Sequence, residues 1–470
     1  MLIPLKITRD QPLQRQLYDQ LRDLIVSSRL TAGTRMPSTP MLADQFSISR
    51  TTVLLTYERP IAEGRLESRP AAGTFVARRP KITARASVSP SQSQDSPTAA
   101  RAITEPRVGC PDPALFPVGR WRAVTRNALD RLGAQLAGEH AGGHPRLRAA
   151  IADWLSASRG LAVGAEQIVL VNGRQQALHV VGHLLLQPGA RAVVEDPCDM
   201  QAVTAFAAAD LVRIPVDCDG MCTDLLPEGR AALVQVTPEH QRPLGVTLSA
   251  MRRDAMLRWA ERSGAMVVEE DCEGELRYRG MEVPPLMSLD QSERVIMIGG
   301  LCSSLGPWLT LGYMVVPHRL IGAALAARRQ IDNSPRWLEE TALAEFLVSG
   351  GYARHVHRLG KAYASRRDAL MTALRRHFGD ATPIWGGGAG LHLTWFPSTG
   401  YGSQAALADL ARQGGLEAAV PGGDRRLSDS AVRAVLLGFG SLAEQQIESR
   451  VSRFAESLAA GWPGTVFSAG

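Results

Sequence analysis

Lysine is almost absent from this 470-residue chain: Lys6, Lys81 and Lys361 are the whole set, against 52 lysines and arginines together. Any chemistry that needs a primary amine therefore has three candidates, and the remaining basic side chains are guanidinium groups that stay charged. Cysteine is scarce as well. Six irregularly spaced residues make neither a disulfide framework nor a paired CxxC zinc site. Long apolar runs are missing: the longest are broken by Arg, Gly or His, so no segment is expected to span a bilayer. Met1-Leu-Ile-Pro leads straight into charged residues without an apolar core or cleavage site, so no signal peptide is expected and the expected location is the cytoplasm. What is present, 45% hydrophobic and 21% charged residues, is soluble globular composition, and the length suits two or three domains.

The charge is uneven. Residues 1–85 carry 14 basic and 7 acidic side chains, a balance of +7, whereas the remainder carries 38 and 39, a balance of −1. A small basic head on a near-neutral body points to a polyanionic partner for the head alone.

Apolar spacing divides the chain further. Leu13, Leu17, Leu21, Leu24 and Ile25 fall on one face of a helix over residues 12–28. Pro37-Ser38 begins a second short helix with Met41, Leu42 and Phe46 facing inward. Ser49 caps a third over residues 50–63, in which Pro60 lacks an N–H and should kink or shorten the last turn. Two alternating segments, 65–69 and 74–78, flank the Pro70-Ala-Ala-Gly73 turn and read as a hairpin. Three helices and a hairpin make a winged helix-turn-helix over 1–79. Residues 80–103 are rich in Ser, Pro, Gln and Ala and read as a linker, whose flexible span of roughly 25–30 Å would reach a neighbouring subunit. Over 104–470, near-continuous apolar strands such as 167–171, 191–195, 231–236, 265–269 and 294–298 alternate with helical patterns. This is the signature of an α/β domain with a mostly parallel sheet covered on both faces.

In such a head, base edges and phosphates are met by short polar or basic side chains at the start of the third helix, here Arg50, Thr51 and Thr52. Arg35, and Arg69 with the Gly73-Thr74 wing tip, are placed to grip flanking phosphates, and the helix starts at Ser38-Thr39 and Ser49 add backbone amides. The segments Pro12-Leu-Gln-Arg-Gln-Leu-Tyr18, Gly33-Thr-Arg-Met-Pro-Ser38, Ser49-Arg-Thr-Thr-Val53 and Arg69-Pro-Ala-Ala-Gly-Thr-Phe-Val76 resemble a GntR-family DNA-binding domain. The resemblance implies double-stranded operator DNA as the partner.

The body is similar to fold-type I aminotransferases in the version that follows such a head, the MocR/GabR subfamily of transcriptional regulators. The landmarks are Leu115-Phe-Pro117, Asn172-Gly-Arg-Gln-Gln-Ala177, Val194-Glu-Asp-Pro197, Thr237-Pro-Glu-His-Gln241, Glu269-Glu-Asp271 and Leu311-Gly-Tyr313. This resemblance implies a head-to-tail homodimer with pyridoxal phosphate (PLP) at the dimer's active sites. The family's residues for PLP have changed here. The resemblance puts Ser303 at the lysine position, and a hydroxyl cannot form the imine that holds the cofactor. The acidic partner of the pyridine nitrogen falls at Glu270 or Asp271, the tyrosine for the ring hydroxyl at Cys272, and the aromatic over the ring at Asp199. A small hydroxyl residue in the phosphate cup has become Arg174, and the phosphate-holding arginine has become Thr310.

Covalent PLP and catalysis are therefore not expected. Arg174, Asp199, His240, Glu270, Asp271, Cys272, Ser303 and Thr310 are left as a polar cleft, which is either a relic kept for dimerisation or a site for a small anionic or zwitterionic effector. The alternative is an aminotransferase-like enzyme or sensor that uses non-covalent PLP, with Arg174 compensating for Thr310. No metal site is expected: His179 and His183 are four apart on an apolar helix but lack a third ligand with matching spacing. Cys218 and Cys222 read as free thiols about a turn. Gly386-Gly-Gly388 is followed by no Lys-Ser/Thr and is not a phosphate loop.

Overall fold

The computed structural model describes residues 13–27, 29–46, 48–69, 72–77, 108–135, 142–271, 273–278, 284–332, 336–380, 382–398, 401–421 and 433–461. The linker at 80–103 and Cys272 lie outside them.

The head holds α1 (Leu13–Val26), α2 (Thr39–Phe46) and α3 (Arg50–Ala62), then β1 (Leu66–Arg69) paired antiparallel with β2 (Gly73–Val76). Leu17, Leu21, Leu24 and Ile25 of α1 pack on Leu42, Val53, Tyr57, Leu66 and Val76. The inward face of α2 differs from expectation. Leu42 and Ala43 are buried, Phe46 is half-buried, and Met41 is 52% exposed, so the inward face is centred on Leu42, Ala43 and Phe46 and leaves Met41 outside it. Ser49 Oγ accepts the Thr52 N–H at 3.0 Å and caps α3. Pro60 does not end the helix, which runs on to Ala62; the Pro60 carbonyl accepts the Arg65 N–H at 2.8 Å and binds the wing to the helix end.

Residues 33–36 run beside β2, with Gly33 and Met36 donating to the Val76 and Thr74 carbonyls at 2.8 Å. That pairing brings the exposed Arg35 side chain against the Gly73 tip.

The body is built on an eight-stranded sheet. Its strands are β3 (Ile168–Val171), β4 (Arg191–Asp196), β5 (Asp210–Asp217), β6 (Gly220–Met221), β7 (Leu233–Val236), β8 (Met266–Asp271), β9 (Val295–Gly300) and β10 (Gly312–Val315), in the order β3-β10-β9-β8-β7-β4-β5-β6. The run β9-β8-β7-β4-β5 is parallel; β10 is antiparallel to both neighbours and β6 to β5. β3, β7, β8 and β10 are buried at every position, as strands covered on both faces must be. Polar side chains within that buried sheet gather toward the carboxyl ends, at Glu195, Gln235, Glu269, Glu270 and Asp271, where open α/β sheets place ligands.

A second, antiparallel sheet follows: β11 (Ile384–Trp385), β12 (His392–Trp395), β13 (Glu417–Ala419) and β14 (Val435–Gly438), ordered β11-β12-β14-β13. The helices Gly351–Phe378 and Glu444–Gly461 cover it through Leu370, Leu374, Val451 and Phe454 against Trp395 and Leu437. The three glycines 386–388 form the turn between β11 and β12.

The head rests on the body of its own chain. Arg65, 1% exposed, holds Glu63 at 3.0 Å and Asp219 at 2.7 Å, and Arg375 reaches Glu67 at 3.4 Å. No helix among the described residues is long and apolar enough to cross a membrane.

Candidate functional site

The site at the carboxyl ends of the strands is built around Arg174. Asn172 follows β3 and Gly173, at φ +81°, turns the chain into the helix Gly173–Leu185, so Arg174 stands at that helix's first turn. A Cβ at Gly173 would lie 3.3 Å from the Thr310 carbonyl oxygen, which places Thr310 beside the same turn; its side chain is exposed. Arg174 does not point to solvent. Its Nε donates to Glu270, and Nη1 donates to Asp199 at 3.0 Å and to Gln201 at 2.8 Å. Glu270 also accepts from Gln235 at 2.7 Å, and its side chain is 1% exposed.

Asp199 caps the helix Met200–Ala205 by accepting the Gln201 N–H at 3.0 Å. Burial alone would raise its pKa, but Arg174 and Arg242 outweigh that and hold it below the ordinary carboxylate value. Arg242 lies 3.7 Å from Asp199 and 2.9 Å from Glu273, and so passes the network on to Glu273, His240 and His392. Burial pushes both histidines below their ordinary pKa, and for His240 the neighbouring His392, Arg242 and Arg277 add to it, so both rings are neutral at pH 7.

Of the eight candidate cleft residues, Arg174, Asp199 and Glu270 meet directly, Thr310 adjoins them, and His240 is joined through Arg242. Asp271 does not belong to this cluster. Successive residues of β8 face opposite sides of the sheet, so Asp271 points with Glu269 away from Arg174. It pairs with Arg159 at 2.8 Å and accepts the Gly274 N–H at 2.9 Å, within a buried group that includes Glu239 and Arg253. Ser303 is buried in the short helix Cys302–Leu305, while its neighbour Ser304 bonds Tyr352 at 2.8 Å.

Glu195 is a site residue that sequence reasoning missed. It is buried at the end of β4, and burial outweighs its bonds from Gln241 and Thr237 to push its pKa up to about 8. A carboxylate directly after the apolar run Ala192-Val-Val194 is the signal that could have found it. Of the discounted pairs, His179 is half-buried and His183 exposed on their helix, and Cys218 and Cys222 flank β6.

A cavity of about 280 Å³ opens beside this network, lined by Asp199, Met200, Arg242, Pro243 and His392, with Val108, Val420 and Leu436 on its apolar side.

The residues present do not suit covalent PLP. A serine stands where the resemblance places the amine, Lys361 is exposed on the helix Gly351–Phe378, and Lys6 and Lys81 lie outside the described residues. The acid that would face the pyridine nitrogen is already engaged by Arg174.

In the head, Arg50 and Thr51 are exposed at the start of α3, Thr52 is half-buried, and Ser38 and Ser49 are exposed at the two helix starts, with Thr39 half-buried. Arg69 is held by Glu67 at 2.5 Å and lies 4.7 Å from the Phe75 ring centroid, near the Gly73-Thr74 tip.

Comparison with known proteins accounts for both halves. The model of bacterial regulatory proteins of the gntR family matches residues 13–76, and that of aminotransferase class I and II matches residues 122–392. The chain is 36% identical to the probable rhizopine catabolism regulatory protein MocR of Rhizobium meliloti, over 82% of this chain and 81% of that protein. It is 31% identical to the pyridoxine biosynthesis transcriptional regulator PdxR of Corynebacterium glutamicum, over 79% and 81%. Among solved structures, Pyrococcus horikoshii kynurenine aminotransferase superposes with a TM-score of 0.67 at 26% identity, covering 76% of this chain and 91% of that one. A GntR-type head, an aminotransferase-fold body and relatives of this kind along most of its length make this chain a transcriptional regulator of the MocR/GabR type.

Proposed function

We propose that this protein is a homodimeric, cytoplasmic regulator that binds double-stranded operator DNA through its head and whose body works without PLP and without catalysis. Arg50, Thr51 and Thr52 at the start of α3 meet base edges in the major groove. Arg35 and Arg69, with Gly73 and Thr74 at the wing tip, hold flanking phosphates, joined by the amides at Ser38, Thr39 and Ser49. The bodies pair head to tail, and two heads per dimer read two half-sites whose spacing the body and linker set.

The observation that carries PLP independence is the pairing of Arg174 with Glu270 and Asp199, in a chain that offers Ser303 where an amine would be needed. Arg174 Nε and Nη1 are engaged by Glu270, Asp199 and Gln201, so its charge is already balanced by two acids where a cofactor phosphate would need it. The body instead senses a small anionic or zwitterionic metabolite in the cavity beside Arg242 and His392. The relatives that regulate rhizopine catabolism and pyridoxine biosynthesis fit a metabolite-sensing role.

The test is operator binding by the purified protein, with DNA from the region upstream of its own gene, before and after added PLP. Binding that does not change with PLP but shifts with one member of a metabolite panel supports the reading. A PLP-dependent change in affinity overturns it.

A further inference from the structure

His240, Glu273 and His392 come from three distant parts of the chain and meet in a buried pocket, at 2%, 5% and 4% exposure. His240 follows β7 in the loop carrying Pro243, Glu273 follows β8, and His392 opens β12 of the second sheet. One ligand atom from each lies within 4.8 Å of the other two. His240 Nε2 is 3.4 Å from Glu273 Oε2 and 3.4 Å from His392 Nδ1. Ligands about 2.0–2.1 Å from a tetrahedral zinc ion stand about 3.3–3.4 Å apart, the edge of the tetrahedron.

The proton positions follow from the partners. His392 Nε2 lies 2.7 Å from the Pro243 carbonyl oxygen, which only accepts, so this ring carries its proton on Nε2 and turns the Nδ1 lone pair toward His240. Glu273 Oε1 is held by Arg242 at 2.9 Å, while Oε2 has no hydrogen-bond partner among the described residues. A neutral His240 could donate its Nε2 proton to only one of these two acceptors. With that proton on Nδ1, which has no hydrogen-bond partner among the described residues, the Nε2 lone pair is left for the space shared with Glu273 Oε2 and His392 Nδ1, and a carbonyl already orients the His392 ring, as backbone carbonyls do for metal-bound histidines. The space beside them is kept by Gly390, at φ +74°, where a Cβ would run into both His240 Nε2 and Glu273 Oε2. The 280 Å³ cavity reaches this group at His392 and Arg242.

We propose that His240, Glu273 and His392 form a binding site for a divalent transition-metal ion, zinc foremost, that fastens the second sheet to the main body. Two imidazoles and one carboxylate are a borderline donor set that suits zinc and disfavours calcium or magnesium. The site is independent of how the head reads DNA.

The experiment uses the full-length, tag-free protein, stripped with a chelator and titrated with zinc against a chromophoric chelator, with metal content measured by mass spectrometry. One ion per chain is expected, together with a higher Tm in zinc. His240→Ala and His392→Ala should each weaken binding by more than about 10–100-fold, the loss typical of removing only a supporting partner. The milder Glu273→Gln covers the case in which a histidine variant fails to fold, and should weaken binding by at least about 10-fold with circular dichroism unchanged. Cys218→Ser, in the second candidate cluster with Asp217 and Asp219, should change nothing. In the cobalt-loaded wild type, tetrahedral visible bands without a thiolate charge-transfer band are expected. No bound zinc, binding unchanged in the histidine and Glu273 variants, or binding lost with Cys218→Ser would each overturn the proposal.

Discussion

Arg174 donates to the buried carboxylate of Glu270 from the first turn of a helix whose start adjoins Thr310, and its other arm reaches Asp199. Arg174 and Asp199 depart from the pattern that the resemblance implies, whereas Glu270 keeps an acid there. Together the three form one charge-compensated cluster, with Arg174 between the two acids.

That pairing predicts strong coupling. Arg174→Ala leaves Glu270 buried without its charge partner and should cost about 3–5 kcal/mol, whereas replacing both residues by leucine should recover most of the loss. Urea unfolding of the two single variants and the double variant measures the coupling. Additive losses would show that the two side chains do not depend on each other.

At the head, Arg50→Ala should weaken operator binding by about 1–3 kcal/mol and relax sequence preference if Arg50 reads a base; if it meets only phosphate, the salt slope should fall by about 1 instead. Fluorescence anisotropy across a salt series distinguishes these outcomes. Unchanged affinity and slope would remove Arg50 from the interface.

Ser49→Ala removes the oxygen that accepts the Thr52 N–H and should destabilise the head by about 1 kcal/mol, visible as a lower denaturation midpoint. Ser49→Gly should cost only a few tenths of that amount, since glycine is itself a tolerated cap. Equal losses for the two would contradict a capping role.

Glu195 gives a pH prediction. Burial holds its folded-state pKa at about 8, against an ordinary value of 4.5, so between those values the folded chain keeps a proton that the unfolded chain has released. The stability that this proton provides is present below pH 4.5 and is lost as pH rises toward 8. Glu195→Gln should flatten the fall in Tm between pH 5 and 8, by up to one proton in slope. An unchanged profile would mean that Glu195 ionises normally.

Much of the architecture was legible in the sequence because its signals are local. The leucine spacing in α1, the Ser49 cap and the glycine turn of the wing each sit within a few residues of their consequence. The choice between Glu270 and Asp271 was also within reach, since strand alternation puts Glu270 on one face and Glu269 with Asp271 on the other. The second sheet was missed because β11 is only two residues long and its neighbours are short strands after a 28-residue helix. The meeting of His240 with His392 has no sequence signal, for 152 residues separate them and only the docking of β12 brings them together.

The central claim is that the body has given up its cofactor. The most direct test is the near-ultraviolet and visible spectrum of the purified protein titrated with PLP, followed by borohydride reduction and peptide mapping. The account predicts no absorption band beyond that of free PLP and no modified peptide. A reducible adduct on Lys361, or saturable PLP binding that displaces Arg174 from Glu270, would contradict it.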